Sequence, residues 1–395
     1  MISIFNTMSM QKEILEPFNH PNVSMFICGP TVYDYSHIGH ARIFIFYDVI
    51  ARHLKANGYV PFILLNLTDI DVKIFERAKR EQMDYKNIVI KYTNELQKDL
   101  NLLNVQNVSS FAMVSEYVKQ AKENIKTMLR EGYAYTASGN VYFDTLKTKG
   151  YGALSHQTVD NMLMRRIDLA PNKRNQFDFL VWNSRDNFEV QWESDFGAGI
   201  PWWHIQDSSV ALANFHSRYD IHGGSRELLY PHHEAHLAQM KALTKQDKPV
   251  KYWVHTGIIK VDGQKMSKSL GNVVRIRDAV LKYGNDALRL YMLSKHYKED
   301  VVFDEDDLAG YKDTATLLRN ALEQLKDAKQ DFLDNDAKQL IDDFYKAMDD
   351  DFNTKQASND LLALSKSIVE GRIKPSKTLN DNIEKILDIF GLTLA

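Results

Sequence analysis

The stretch SHIGHAR, residues 36–42, sets two imidazoles on either side of Ile-Gly, and KMSKS, residues 265–269, sets two ammonium groups three apart. Both patterns suit polyphosphate chemistry. A helix N-terminus gathers unpaired N–H groups and partial positive charge, so it attracts phosphate. With a helix starting at SHIGHAR, Gly39 leaves room for a nucleotide beside the backbone, and His37 and His40 can donate to phosphoryl oxygens. Lys265 and Lys268 suit the charge that develops as pyrophosphate leaves. Between residues 250 and 277 six Lys or Arg stand against one acidic residue, a basic strip in a chain of net charge −3. Taken alone, H-x-x-H is more often a pair of surface histidines, and two loop lysines are more often solvated. A chance match to all five residues of KMSKS in a chain this size is very unlikely.

The elements that must hold these residues are legible as apolar runs. VSMFICG (23–29) reads as a buried strand ending at Cys28 and Gly29. HARIFIFYDVIARHLKANGY has helical spacing and stops at Asn57-Gly58. VPFILLNLTD (60–69) reads as a second buried strand. This is a βαβ unit, whose strands run parallel with a right-handed crossover. Ligands of such sheets bind beyond the carboxyl ends of the strands, which puts Cys28 at the rim of a site. Residues 72–135 read as mainly helical, and from there to about 194 Gly, Thr and Tyr mark an insertion of strands and loops. YDIHGG (219–224) and VKYWVHTGII (250–259) read as returning strands. From about 305 the chain is helical and charged.

With these strings in place, the chain resembles class I aminoacyl-tRNA synthetases and, within them, the cysteinyl-tRNA synthetase family. The similarity runs almost end to end: IFNT, CGPTVYDYSHIGHAR, NLTDID, GYGALS, PWWHIQDSS, YDIHGG, YPHHEAHLAQ, KMSKSLGN and MDDDFNT. It implies an α/β fold, a class I Rossmann-like parallel sheet with an inserted connective domain, followed by a C-terminal helical bundle. The implied divisions are 1–115 and 195–250 for the two catalytic halves, 116–194 for the insertion, 251–308 for the KMSKS and stem-contact region, and 309–395 for the bundle.

The family holds its cysteine substrate on a zinc ion bound by two Cys, one His and one Glu. Carried over by position, these fall on Cys28, Asp207, His232 and His236, so two of the four depart from the family's types. By itself a lone cysteine is more often inert packing. His232 and His236, four apart, share a face if they lie on one helix. Cys, Asp and two His remain an acceptable donor set for zinc, and zinc prefers a soft thiolate to a neutral hydroxyl. Another divalent metal, or an empty polar pocket, are the other readings. The resemblance also implies Trp203, His204, His222 and His233 around the amino acid, Thr31 and Thr68 near it, Glu227 at the ATP ribose, and His255 at the adenine. ATP with Mg²⁺, L-cysteine and tRNA(Cys) are the implied partners of a monomer.

Composition agrees with a cytoplasmic enzyme. One cysteine excludes an internal disulfide, and no apolar window reaches membrane-spanning length. The N-terminus has no signal-peptide pattern. The chain ends at FGLTLA, where the family's small anticodon-reading domain would begin. That leaves a short tRNA ligase as the favoured reading, an amide ligase joining cysteine to an amino sugar, like that of the mycothiol pathway, as the alternative, and a non-catalytic binding paralogue as the third.

Overall fold

The computed structural model describes residues 1–164, 172–261, 263–266 and 271–394. Lys268 lies outside the described residues, and of Lys265 only the backbone is described. The apolar run before SHIGHAR forms strand β1 (Asn22–Ile27), and the helix that follows is α1 (Ile38–Ala56), capped at Asn57. Strand β2 (Val60–Leu67) completes the expected unit. The chain then supplies β3 (Val108–Met113), α2 (Trp203–Phe215), β4 (Tyr219–Ser225), α3 (Glu234–Thr244) and β5 (Val250–Thr256).

The five strands lie side by side in the order β5-β4-β1-β2-β3, all parallel. From β1 the chain adds strands on one side, then returns to add β4 and β5 on the other. The crevice between the carboxyl ends of β1 and β4 is thus the switch point at which such sheets take ligands. Cys28 follows β1 at that point, and its N–H donates to the Gly223 carbonyl on β4 at 2.9 Å. Gly223 is required there. A Cβ would stand 2.4 Å from the Tyr47 ring, whose hydroxyl donates to the Val254 carbonyl and accepts from Gly224 N.

Residues 72–135 are mainly helical, as expected, but strand β3 interrupts them. The helices Val72–Glu81, Tyr85–Leu102 and Val118–Arg130 are present, but Val108–Met113 joins the edge of the sheet. Its two serines hide it from an apolar-run search. One of them, Ser109, accepts from the Ile63 N–H through its hydroxyl. Three short antiparallel strands occur where an insertion was expected, Ala134–Ala137, Asn140–Phe143 and Phe179–Asn183, and a fourth, Ile200–Pro201, joins them from just beyond its expected end at 194.

Beyond β5, strands β6 (Ile259–Val261) and β7 (Gln264–Lys265) pair antiparallel. Helices α4 (Ile276–Tyr283) and α5 (Asn285–Leu293) follow, then β8 (Val301–Phe303), which pairs parallel to β6. Four helices end the chain: α6 (Glu305–Leu325), α7 (Asn335–Asp349), α8 (Thr354–Val369) and α9 (Lys377–Phe390). Their apolar faces share one core with the inner face of the sheet.

Polar groups lock this bundle to α1. Asp48 accepts from Arg52 Nε and Arg289 Nη2, each at 2.9 Å. Arg289 is fully buried and also donates to the carbonyls of Leu103 and Phe390. Arg52 reaches the Asp388 carboxylate at 2.7 Å. A second anchor is Asp351, fully buried, which accepts from Phe5 N, the Tyr297 hydroxyl and Lys298 Nζ.

Candidate active site

Two separate stretches of sequence meet at the start of α1. His37 is the N-cap residue: its Nδ1 accepts from Gly39 N at 3.1 Å, while His40 Nδ1 accepts from His37 N at 3.2 Å. This is a capping box built from imidazoles instead of Ser and Glu. Because both Nδ1 atoms act as acceptors, the ring proton of each neutral imidazole belongs on Nε2, leaving each ring a donor nitrogen outside the cap. The rings stack with centroids 3.9 Å apart.

The chain after KMSKS returns to this same turn. Ile38 N donates to the Val274 carbonyl, Ile276 N donates to the Ser36 carbonyl, and His37 bridges Arg275 in antiparallel fashion. Met266, from within KMSKS, packs so close to Gly39 that a Cβ there would lie 3.2 Å from its methyl group. Arg42, one turn into α1, holds the segment leading to β8. Its buried guanidinium donates to the carbonyls of Met292, His296, Tyr297 and Glu299. Sequence reasoning passed over Arg42, because its acceptors are backbone carbonyls some 250 residues away.

Past the carboxyl ends of β1 and β2 a cavity of about 510 Å³ opens between Cys28, Thr31, Thr68 and the Trp202–Trp203 pair. Thr31 and Thr68 form a parallel bridge that extends the β1–β2 pairing past the strand ends. Trp203 stacks on His232 with centroids 4.2 Å apart and planes 9° apart.

Behind the cavity wall lie six buried histidines linked in three chains. His204 Nδ1 meets His232 Nδ1 at 3.1 Å, and His232 Nε2 meets Asp207 Oδ2 at 3.0 Å. Asp207 Oδ1 accepts from Asn66 Nδ2 at 2.8 Å. His233 Nδ1 meets His255 Nε2 at 2.8 Å, and His255 Nδ1 meets the Thr7 hydroxyl at 2.9 Å. The Tyr219 hydroxyl joins His222 Nδ1 to His236 Nε2, and His236 Nδ1 faces the Ser208 hydroxyl.

Burial sets the charge of this cluster. It pushes His204, His222 and His233 well below the usual imidazole value, and His236 and His255 down to about 3. These rings are neutral at any physiological pH. Burial, reinforced by the neighbouring Asp207 carboxylate and its hydrogen bond, pushes the Cys28 thiol well up. For Asp207 burial acts upward, but His232 and the hydrogen bonds outweigh it and hold the carboxyl below its ordinary value.

The structure sorts the expected metal donors in an unexpected way. The donor atoms of Cys28, His232 and His233 lie within 4.8 Å of one another. Asp207 stands beside His232 and the Cys28 thiol. His236 is turned to Tyr219 and Ser208. The helical-face argument does not apply to it. His232 sits in a π-type turn, Leu229–His233, and only His236 lies in α3, so the two do not share one regular helix. His255, expected at the adenine, has both nitrogens engaged inside the cluster, and Glu227 is exposed in the turn after β4. Tyr219, Ser208, Asn66 and Thr7, which orient the cluster, carry no sequence signal of their own.

Residues 14–313 match the family model described as the class I tRNA synthetase (C) catalytic domain. The chain is 35% identical to the cysteine–tRNA ligase of Thermococcus onnurineus, over 98% of this chain and 84% of that protein. It is 37% identical to that of Staphylococcus haemolyticus, over 93% of this chain and 80% of the relative. Among solved structures it resembles Mycobacterium tuberculosis methionyl-tRNA synthetase in complex with methionyl-adenylate, with TM-score 0.68 and 14% identity over 93% of this chain and 88% of the other. The Agrobacterium radiobacter K84 agnB2 LeuRS ternary complex gives TM-score 0.68 at 11% identity, covering 95% and 84% of the two chains.

Proposed function

Because the chain belongs to the cysteine–tRNA ligase family of class I synthetases, we propose that it activates L-cysteine with ATP and transfers it to tRNA(Cys). The observation that carries this reading is the meeting of SHIGHAR with Met266 and the 274–276 segment at the N-terminus of the helix that follows β1, the strand after which Cys28 lines the cavity. Phosphate recognition and amino-acid recognition then share one crevice.

In the first step a cysteine carboxylate oxygen bonds to the α-phosphorus of ATP. The bond to the bridging oxygen breaks, and pyrophosphate leaves with Mg²⁺. No protein nucleophile is needed. The helix N-terminus, His37, His40, Lys265 and Lys268 stabilise the charge that builds on the phosphoryl oxygens. Glu227 serves as acceptor for a ribose hydroxyl. In the second step a terminal tRNA hydroxyl attacks the carbonyl carbon, and AMP leaves. Thr31, Thr68 and Trp203 shape the cavity for a small side chain, and His204 and His222 back its wall. Neutral imidazoles suit that task, because they add no charge that would repel the substrate ammonium.

The donor chemistry at Cys28 and His232 fits a zinc-class ion: a sulfur, imidazole nitrogens and an adjacent carboxylate, all buried. When bound there, Zn²⁺ supplies a centre that prefers a soft thiolate to a neutral hydroxyl. Packing alone separates side chains differing this little by only about 10–200-fold. Cys28→Ala is therefore expected to lower cysteine activation and to bring its preference over serine into that range. A Cys28→Ala enzyme with undiminished discrimination would remove Cys28 from substrate selection.

The direct test of the activation step is cysteine-dependent exchange of labelled pyrophosphate into ATP. The expected result is exchange with cysteine exceeding that with serine, alanine and methionine. Exchange driven better by another amino acid would contradict the cysteine reading.

A further inference from the structure

We propose that His233, and not His236, completes the metal site with Cys28 and His232, while Asp207 acts as the carboxylate that orients His232. This rests on reading the site as one that selects cysteine, and it names the groups that do so. The relevant observations are which donors converge and which buried nitrogen among them lacks a partner. His233 is fully buried, its Nδ1 is fixed by His255, and its Nε2 has no hydrogen-bond partner. A buried polar atom left unpaired costs about 1–3 kcal/mol, so such groups call for a partner the protein itself does not supply. That ring lies with Cys28 and His232 in the one group of convergent metal-type donors found among the described residues.

His236 lies outside that group. Both its nitrogens are hydrogen-bonded, to Ser208 and to Tyr219, and Tyr219 in turn holds His222. Ligation by His236 would break one of these bonds and bring in a donor from outside the convergent group. The His232 nitrogens are engaged too, with His204 and Asp207, but His232 stands within the group, and its Nδ1 reaches a metal by giving up only the neighbouring imidazole. Asp207 already pairs with His232 Nε2 and is itself held by Asn66. Carboxylates so placed commonly orient metal-bound imidazoles. His255 and Thr7 hold His233 in a similar way. One sulfur and two nitrogens select zinc or a similarly soft divalent ion, and three protein donors leave the fourth position open, as at metal sites that bind a substrate.

The experiment counts metal with no amino acid, ATP or tRNA present. Wild type, His233→Gln, His236→Gln and Asp207→Asn are purified, checked for fold by circular dichroism, and titrated with Zn²⁺ against a chromophoric chelator. The expected result is one tight zinc in wild type and in His236→Gln. Asp207→Asn should bind roughly 10–100-fold more weakly, and His233→Gln more weakly still. Should a glutamine variant fail to fold, His233→Cys and His236→Cys retain a donor at each position. Loaded with Co²⁺, only His233→Cys should show a thiolate-to-cobalt absorption band stronger than that of wild type. Tight zinc in His233→Gln with loss in His236→Gln, a stronger band only in His236→Cys, or no tight zinc in wild type would each overturn the proposal. Pyrophosphate exchange, measured separately, reports on the activation reading independently of this donor assignment.

Discussion

Replacing His40 with alanine is expected to lower the rate of cysteine-dependent pyrophosphate exchange about 10²–10³-fold, the range for loss of one donor to developing charge. His40 lies in the turn that the 274–276 segment returns to, so its ring belongs to the phosphate end of the crevice and not to the cavity at Cys28. The KM for cysteine should therefore move little while kcat falls. The change also removes half of the imidazole capping box, because His40 Nδ1 accepts from His37 N. That half-cap is worth about 1 kcal/mol of helix stability, too little to unfold the chain. Stopped-flow or exchange kinetics together with a denaturation midpoint separate the two effects. An unchanged kcat would remove His40 from the transition state.

The largest expected loss of stability comes from Asp48→Ala. Burial alone would raise this carboxyl, yet Arg289, Arg52 and the Asn107 hydrogen bond hold it below its ordinary value, so it is ionised in the fold. Removing it leaves the Arg289 guanidinium, entirely inside the protein, without its direct ion-pair partner, with only the Asp286 charge acting on it from further off. It also strips a hydrogen bond each from Gln106 N and Asn107. Breaking a buried pair from one side costs about 3–5 kcal/mol. The unfolding free energy from urea titration should fall by that amount. Because Asp48 joins α1 to α5 and the loop before β3, the bundle should loosen from the sheet together with it. A loss below about 1 kcal/mol would show that the Arg289 contacts to Leu103 and Phe390 suffice alone.

The sequence was readable where one local pattern decides the outcome. The β1–α1–β2 unit follows from two apolar runs and an Asn-Gly stop, and the strands are parallel as the connection requires. SHIGHAR marks a helix start, and it is one. Val108–Met113 was not readable as a strand, because an edge strand can carry serines whose side chains bond the neighbouring backbone. The grouping of Cys28, His232 and His233 was readable only in part. Cys28 and His232 follow from the strings that carry the resemblance, but the choice between His233 and His236 depends on a π-type turn and on Tyr219 and Ser208. No residue spacing encodes those. Arg42 was invisible for the same reason: its role lies in carbonyls brought to it by the fold. Lys268 rests on the KMSKS string alone, since it lies outside the described residues.

The central claim is that one crevice both activates cysteine and delivers it to tRNA. Transfer of labelled cysteine onto tRNA from the protein's own source, read as acid-precipitable counts with ATP and Mg²⁺, tests it most directly. The account predicts ATP-dependent charging that His40→Ala and Cys28→Ala both suppress. Vigorous cysteine-dependent pyrophosphate exchange without any charging of that tRNA would contradict it, and would turn the search toward a small amine as acceptor.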